Sequence, residues 1–319
     1  SCLALGLSEG DILWTSPNSY VASANVGLLC NAEVDFVDID SETYNMCSTA
    51  LSMKLRDAEK NGKLPKIVMP VHFAGQSCDM INIKKLSEKY GFKIIEDASH
   101  AIGGVYKNTK IGSCKFSDIT VFSFHPVKII TTAEGGCATT NDENIFEKLK
   151  LLSSHGVTRN PKNMVNKTLD KWVYDQISIG FNYRMSDLNA ALGLSQLLRI
   201  DSFINKRNKI AKKYFQQLKN LDLKLPKQED YNSSALHLFP IQVNNRKKIY
   251  NLLHRNDIKV NVHYRPIHTQ PFWQNRGFKF GLFPNSELYY SKAISLPIFY
   301  DLNDEMQDCV INVLQKSCL

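Results

Sequence analysis

Short apolar runs alternate with segments of helical periodicity along the first half of the chain. The apolar runs that predict strands are DILWTSP, EVDFVDID, KIVMPVHF, FKIIEDAS, DITVFSF and GGCATTND. The segments that predict helices are residues 20–30, 48–60, 81–90 and 144–153. Short strands separated by helices are typical of a mainly parallel sheet that helices cover on both faces.

The pattern changes after residue 155. Residues 155–185 are rich in asparagine and lysine and predict a long connection, a kind of segment that is often functional in compact domains. Ser186 is a candidate N-cap for an apolar helix. After about residue 220, ALHLFPIQV and IKVNVHYRPI predict strands with a helix between them. We therefore expect a large α/β domain at residues 1–200 and a smaller α+β domain at residues 201–319.

Composition excludes some classes of protein. The chain has 319 residues, 43% of them hydrophobic and 22% charged, which is ordinary for a soluble globular protein. Its net charge of +8 is spread along the chain, so no nucleic-acid partner is expected. No apolar run is long enough to cross a membrane. The eight cysteines show no C-x-x-C pair and predict reduced, mostly buried thiols in a cytoplasmic protein.

Several common cofactor and catalytic motifs are absent. The sequence contains no G-x-x-x-x-G-K-[ST], no G-x-G-x-x-G, no G-x-S-x-G and no H-E-x-x-H. These absences argue against a P-loop, a dinucleotide dehydrogenase, a serine hydrolase of the elbow type and a zinc protease. A cofactor, if there is one, must be held by other means.

Two predicted strands end in residues that can carry chemistry. Asp97 follows the apolar run FKIIE, and Ser123 ends DITVFS, five residues before Lys128 in a proline-containing turn. In open α/β sheets ligands bind at the carboxyl ends of strands. Taken singly, Asp97 is explained as a helix cap, Ser123 as a turn hydroxyl and Lys128 as a solvated side chain.

The combination of these residues favours a pyridoxal phosphate site. That cofactor needs a partly desolvated lysine for its imine, an acid that faces its ring nitrogen and donors for its phosphate. Lys128, Asp97 and Ser123 could supply these three functions from one pocket. No metal site is expected.

SFHPVKIITTAEGG, EDASHAIGG and GFNYRMSDLNAALGLSQL are long, ordered motifs. With them the chain resembles the DegT/DnrJ/EryC1/StrS family of sugar aminotransferases over essentially its whole length. The resemblance implies fold type I of the enzymes dependent on pyridoxal phosphate, and a homodimer with shared active sites. It also implies that a further phosphate-binding segment precedes residue 1, where SCLALGLSEGD looks like the last turns of a helix that stops near Gly10.

The family's site residues match this sequence position by position. Lys128 matches the lysine that forms the imine, Asp97 the partner of the pyridine nitrogen and Ser123 a phosphate ligand. Tyr20 matches the aromatic residue stacked on the cofactor ring, and His100 the residue near the ring hydroxyl. Asn182 matches an asparagine that reaches the phosphate from the neighbouring subunit; without the resemblance it would be a turn residue.

The segment VHYRPIH has three interpretations. It is a strand and turn with exposed polar residues, a metal site lacking a third ligand, or the stretch that contacts the nucleotide-sugar. The resemblance favours the last interpretation, with His268 and Tyr264 as substrate contacts.

The resemblance is closest to the branch that acts on the pseudaminic acid pathway. It implies transfer of an amino group from glutamate to the C4 ketone of a UDP-linked 4-keto-6-deoxy-HexNAc, the precursor of an L-altrosamine sugar. The alternatives are another keto nucleotide-sugar, for example a D-configured one, or a protein that binds pyridoxal phosphate without transaminase activity. Dehydratase chemistry, in which the lysine is replaced, is disfavoured because Lys128 is present.

Overall fold

The computed structural model describes residues 1–165, 170 and 172–317. Its strands are β1 (Ile12–Thr15), β2 (Glu33–Phe36), β3 (Ile67–Met69), β4 (Lys93–Asp97), β5 (Val105–Tyr106), β6 (Thr109–Lys110), β7 (Ile119–Ser123), β8 (Gly136–Thr139), β9 (Val157–Thr158), β10 (Asp175–Gln176), β11 (Leu223–Lys224), β12 (Asn232–Ser233), β13 (Phe239–Val243) and β14 (Ala293–Leu296). Its α-helices are α1 (Ala22–Leu29), α2 (Ser48–Lys60), α3 (Met80–Tyr90), α4 (Glu143–Ser153), α5 (Asp187–Leu197), α6 (Ile200–Leu218), α7 (Arg246–Arg255), α8 (Pro271–Gln274), α9 (Pro284–Lys292) and α10 (Asp304–Gln315).

The central sheet is mainly parallel, as the alternating pattern predicts. Its strand order is β2-β1-β3-β4-β7-β8, in which the first five strands are parallel and β8 runs antiparallel to β7. Successive residues on a strand point to opposite faces of the sheet. Both faces are buried, because helices cover each of them. On β4, Ile95 packs into the cluster beneath α1 and α4, whereas Ile94 packs into the cluster beneath α2 and α3.

A second core lies in the C-terminal part of the chain. It joins α6, α7 and α10 to the antiparallel sheet β11-β13-β14. Residues of the segment 267–283, however, pack on the central sheet: Ile267, Trp273 and Phe283 share a cluster with Phe36. The division of the chain at residues 200 and 201 stays a prediction.

Two local expectations were wrong. Residues 258–267 do not form a strand, because this segment makes a single bridge, Asn261 to Ser295, before it crosses to the central sheet. There the Ile267 amide donates to the Pro17 carbonyl oxygen (2.9 Å). At the start of the chain, residues 2–6 form hydrogen-bonded turns rather than a helix that stops near Gly10, because Gly6 adopts a left-handed φ of 76°; a separate turn joins Ser8 to Asp11.

The cysteines are less buried than the pattern predicts. All seven in the described part of the chain are free, three of them are buried and two are exposed; Cys318 lies outside the described residues.

Within the described part of the chain, no helix has the length and apolar character needed to span a membrane.

The two cores meet at a tight contact around Gly75. The amide of Ala235 donates to the Gly75 carbonyl oxygen (3.0 Å). A Cβ at Gly75 would lie 2.6 Å from the Leu236 nitrogen and 3.0 Å from both the His237 nitrogen and the His100 carbonyl oxygen. Gly75 also has a φ of 106°, in the region that favours glycine. Only a residue without a side chain allows this approach of the two backbones.

We expect Gly75→Ala to destabilise the protein by about 3 kcal/mol, because a rigid backbone clash is added to the cost of a positive φ. Gly277→Ala is the matched control, since Gly277 has a φ of 97° and no atom within 4 Å of its Cβ position. It should cost only about 1 kcal/mol, the φ penalty alone. Urea denaturation measures both variants, and equal losses would contradict the clash.

Candidate active site

The register of β4 and β7 brings Asp97 and Ser123, two of the predicted site residues, close together. Asp97 ends β4 and pairs with Val121, two residues before Ser123 at the end of β7. The chain then turns back, since the Thr132 amide donates to the Phe124 carbonyl oxygen (3.0 Å). This turn returns Lys128 to the neighbourhood of Asp97, whose charge acts on it. Asp97, Ser123 and Lys128 therefore lie at one edge of the sheet.

The Asp97 carboxylate is fixed by three hydrogen bonds. Ser23 Oγ donates to Oδ2 (2.7 Å), and the Ser99 amide and hydroxyl donate to Oδ1 (3.1 and 2.6 Å). Ser23 is in turn bonded to Ser19 (2.8 Å). Ser23 lies on the first turn of α1, so the helix that follows Tyr20 also orients the acid. An acceptor held in this way can face a cationic donor without rearrangement.

A buried pair supports the strand end beneath Asp97. His72 Nε2 lies 2.7 Å from Glu96 Oε2, and both side chains are buried. The Cys78 amide donates to His72 Nδ1 (3.1 Å), so that nitrogen is an acceptor and Nε2 is the ring nitrogen that donates to Glu96. The His72 amide also donates to the Asp97 carbonyl oxygen (3.0 Å).

Glu96 stays ionised despite its burial. Burial raises the pKa of its carboxyl, but hydrogen bonds from His72, Ser117 and Thr120 outweigh it and lower the pKa below its usual value. A buried carboxylate with all these donors is a rigid anchor, so β4 cannot slide relative to the segment that carries His72.

Lys128 is half-buried, and its environment favours the neutral amine. Burial lowers the pKa of Lys128, and the charge of Asp97 opposes this shift only in part. A lysine in this state can act as a nucleophile at a lower pH than a solvated one. The setting of Lys128 is therefore chemical rather than that of a surface side chain.

A group of aromatic rings and imidazoles lies near Lys128, whose charge acts on His100, His237 and His263. His100 Nε2 forms a hydrogen bond of 3.2 Å with the Tyr264 hydroxyl, and the Tyr264 ring lies 6.3 Å from that of Tyr20, which is 63% exposed. Burial, and then His237 and Lys128, keep the pKa of His100 well below its usual range. The predicted residues Tyr20, His100 and Tyr264 thus meet beside Lys128.

Two predicted site residues lie apart from this group. Asn182 is exposed and lines an open hollow of about 880 Å³ next to Gly136. His268 is fully buried; its Nε2 lies 2.9 Å from Glu287, and its ring packs against Phe283. Their roles stay predictions, and in this chain neither side chain has a described contact with Lys128.

Two polar residues of the site, Ser23 and His237, were not expected from the sequence, whereas His263 lies in the segment VHYRPIH that was. Ser23 could have been found, because it lies one helical turn after Tyr20 in SYVAS. Burial and the charge of Lys128 lower the pKa of His263 to about 4, which places that ring near the lysine. His237 stands alone in an apolar strand-like run and gave no signal.

The comparisons with known proteins identify the family. The model of the DegT/DnrJ/EryC1/StrS aminotransferase family matches residues 1–315. The chain belongs to that family. It is therefore a sugar aminotransferase dependent on pyridoxal phosphate, with the fold of the type I enzymes.

Individual relatives agree with the family. The chain is 35% identical to the UDP-4-amino-4,6-dideoxy-N-acetyl-beta-L-altrosamine transaminase of Campylobacter jejuni, over 98% of this chain and 81% of that protein. Among solved structures, it resembles Helicobacter pylori PseC, an aminotransferase involved in the biosynthesis of pseudoaminic acid, with a TM-score of 0.88, 31% identity and coverage of 99% and 83%. It also resembles the PLP form of the putative sugar aminotransferase Spr1654 from Streptococcus pneumoniae (0.87, 28%, 99% and 83%).

The side chains at the sheet edge fit the family's cofactor. Asp97 offers a fixed carboxylate, Lys128 a half-buried amine and Ser123 a hydroxyl at a strand end. His100 Nδ1 is buried and lacks a hydrogen-bond partner among the described residues, as expected of an atom that a ligand would satisfy. Near Ser123, a Cβ on Gly136 would lie 2.6 Å from the Phe122 carbonyl oxygen, so these backbones must approach closely.

In the described residues no group of three His, Cys, Asp or Glu side chains could hold a metal.

We expect Asp97→Asn to lower the pKa of Lys128 further, because removing an adjacent opposite charge disfavours the ammonium. The reaction of Lys128 with an amine-selective reagent, followed by mass spectrometry against pH, measures the shift. Asp118→Asn is the control, since Asp118 lies at the other end of β7 and binds Lys93. An unchanged midpoint in Asp97→Asn would contradict the electrostatic contact.

Proposed function

We propose that this family member moves an amino group from glutamate to the C4 ketone of a UDP-linked 4-keto-6-deoxy-HexNAc, giving the L-altrosamine precursor of pseudaminic acid. The observation that carries the transaminase part is Lys128, a half-buried amine beside the fixed carboxylate of Asp97. The names of the Campylobacter and Helicobacter relatives support the choice of sugar.

Each residue at the sheet edge has a distinct task in this proposal. Pyridoxal phosphate, when bound, supplies an aldehyde carbon to which the amino group becomes attached. Its ring accepts the electron pair that is left on the donor carbon. Asp97 would accept a hydrogen bond from the protonated ring nitrogen, and Tyr20 would cover the ring. Lys128 would hold the cofactor covalently in the resting enzyme. With its Nζ free, Lys128 would act as the base that takes a proton from the donor carbon and as the acid that returns a proton to the carbon that bears the amino group.

The remaining predicted residues bind phosphate and substrate. Ser123 would donate to the phosphate, and His100 would meet the ring hydroxyl with Nδ1, the nitrogen that lacks a partner among the described residues. Tyr264 lies between His100 and Tyr20, where a sugar entering over the cofactor would meet its ring. His268 is a weaker substrate contact, since its Nε2 already faces Glu287. We propose a cytoplasmic location, supported only by the free cysteines.

We further propose a homodimer that shares its active sites. Helix α5 has no buried side chain, and Leu188 and Leu194 are 85% and 61% exposed. Its first turn is attached to the lysine loop, because Asn189 Nδ2 donates to the carbonyl oxygens of Thr132 (2.5 Å) and Glu134 (2.9 Å). A second copy seated on α5 would therefore lie beside the loop that carries Lys128, and its Asn182 could reach the phosphate.

The transaminase proposal predicts a two-stage spectral change. Pyridoxal phosphate should give the absorption band of the lysine-bound cofactor, and glutamate should convert it to the aminated cofactor. The 4-keto sugar should then restore the original band with formation of a 4-amino sugar. Lys128→Ala should give no lysine-bound band, because the amine that forms the bond is removed.

The same assay separates the alternatives. A spectrum that glutamate and other amino donors leave unchanged would leave a protein that binds the cofactor without transaminase activity. Faster turnover of a D-configured UDP-4-keto sugar or of a 3-keto sugar than of the L-configured substrate would reject our choice of sugar. Loss of the C3 hydroxyl without amino transfer would indicate a dehydratase.

The shared site predicts complementation between two inactive variants. Lys128→Ala and Asn182→Ala should each lose most activity, and subunit exchange between them should restore about one quarter of the native sites, because half of the dimers would hold one intact site. Each variant mixed with itself is the control. If both residues of a site came from the same subunit, mixing would restore nothing.

A further inference from the structure

Arg207 is a buried cation that binds the main chain around His237, a residue next to the active site. The side chain is 6% exposed, and Nη1 donates to the carbonyl oxygens of Leu236 (3.1 Å), His237 (3.3 Å) and Ile298 (2.9 Å). Burial lowers the pKa of Arg207 to about 10, and within the described part of the chain no carboxylate pairs with it. Its hydrogen bonds go to main-chain oxygens, so its effect is to fix the path of residues 236 and 237.

The other side of that path is fixed by the large core. The amide of Leu238 donates to the Ala74 carbonyl oxygen (3.3 Å), and Gly75 allows residues 236 and 237 to approach without a side chain between them. Leu236 itself has a φ of 49°, a conformation that a leucine adopts only when its surroundings impose it. The main chain that carries His237 is thus held from both cores.

This arrangement places the His237 ring against a predicted cofactor residue. The ring centroids of His237 and His100 are 4.5 Å apart, with planes inclined by 43°, and His237 is 7% exposed. His100 Nε2 also forms a hydrogen bond with the Tyr264 hydroxyl (3.2 Å). Burial and then the charge of Lys128 keep the pKa of His237 well below its usual range, which agrees with a neutral ring near the lysine.

We propose that His237 is a positioning residue of the active site, whose ring holds His100 in the orientation that His100 needs toward Tyr264 and the cofactor. The ring contact rather than a hydrogen bond carries the role, because His100 Nε2 bonds the Tyr264 hydroxyl and His100 Nδ1 has no partner among the described residues, so no hydrogen bond joins the two imidazoles. The inference rests on the proposed role of His100 in the site. Arg207 supports it from behind by binding the His237 carbonyl oxygen.

A double-mutant cycle tests whether His237 acts through His100. His237→Ala should reduce kcat and the affinity for pyridoxal phosphate about tenfold in the native background, the coupling typical of residues in contact. In a His100→Ala background the same change should cost less than about twofold, since the ring it positions is already gone. His237→Phe should recover most of the loss, because it retains a planar ring against His100.

A control variant and two possible results decide whether His237 is a positioning residue. His254→Ala is the control, since His254 is an exposed histidine on α7 that is bonded to the Val260 carbonyl oxygen, and it should leave kcat and cofactor affinity unchanged. Equal losses from His237→Ala in both backgrounds, or a His237→Phe variant as impaired as His237→Ala, would overturn the positioning role. The cofactor-affinity cycle needs no amino transfer, so it tests His237 even if wild-type protein binds the cofactor and fails to transaminate.

Discussion

The parallel register of β3, β4 and β7 is the constraint on which the site depends. Asp97 pairs with Val121 on one side and is bonded through its backbone to Pro70 and His72 on the other. The buried contact of His72 with Glu96 fixes the same strand by its side chains. Because both neighbours hold β4, the acid at its end has one position, and the lysine loop after β7 is built around it.

The physical chemistry of this edge is a balance between burial and charge. Burial lowers the pKa of Lys128, and one carboxylate, Asp97, limits the shift. The imidazoles of His100 and His237 nearby are kept neutral by burial and by the lysine itself. The combination of Lys128, the Asp97 carboxylate and neutral imidazoles, as found in the described part of the chain, suits a cofactor that needs an amine partly free of its proton.

Much of the fold could be predicted, because its strands are apolar runs bounded by turns. The pattern gave β4, β7 and α2 close to their observed bounds, and the cofactor edge followed from where the strands end. It failed at residues 258–267, which alternate like a strand. Pro266 carries no amide hydrogen, and the chain there leaves the small sheet to pack on the large one. A local pattern contains no information about such a crossing.

The sequence by itself determined the family, the cofactor and the candidate residues Lys128, Asp97 and Ser123, because long ordered motifs and strand ends are local properties of the chain. Only the tertiary structure decided which polar groups surround them. Ser23 reaches Asp97 across 74 positions, and His237 meets His100 because Arg207 and Gly75 hold its backbone in place. It also placed His268 against Glu287 instead of beside the lysine. Contacts between distant segments depend on how the two cores pack against each other. The residue spacing within a single motif does not determine that packing.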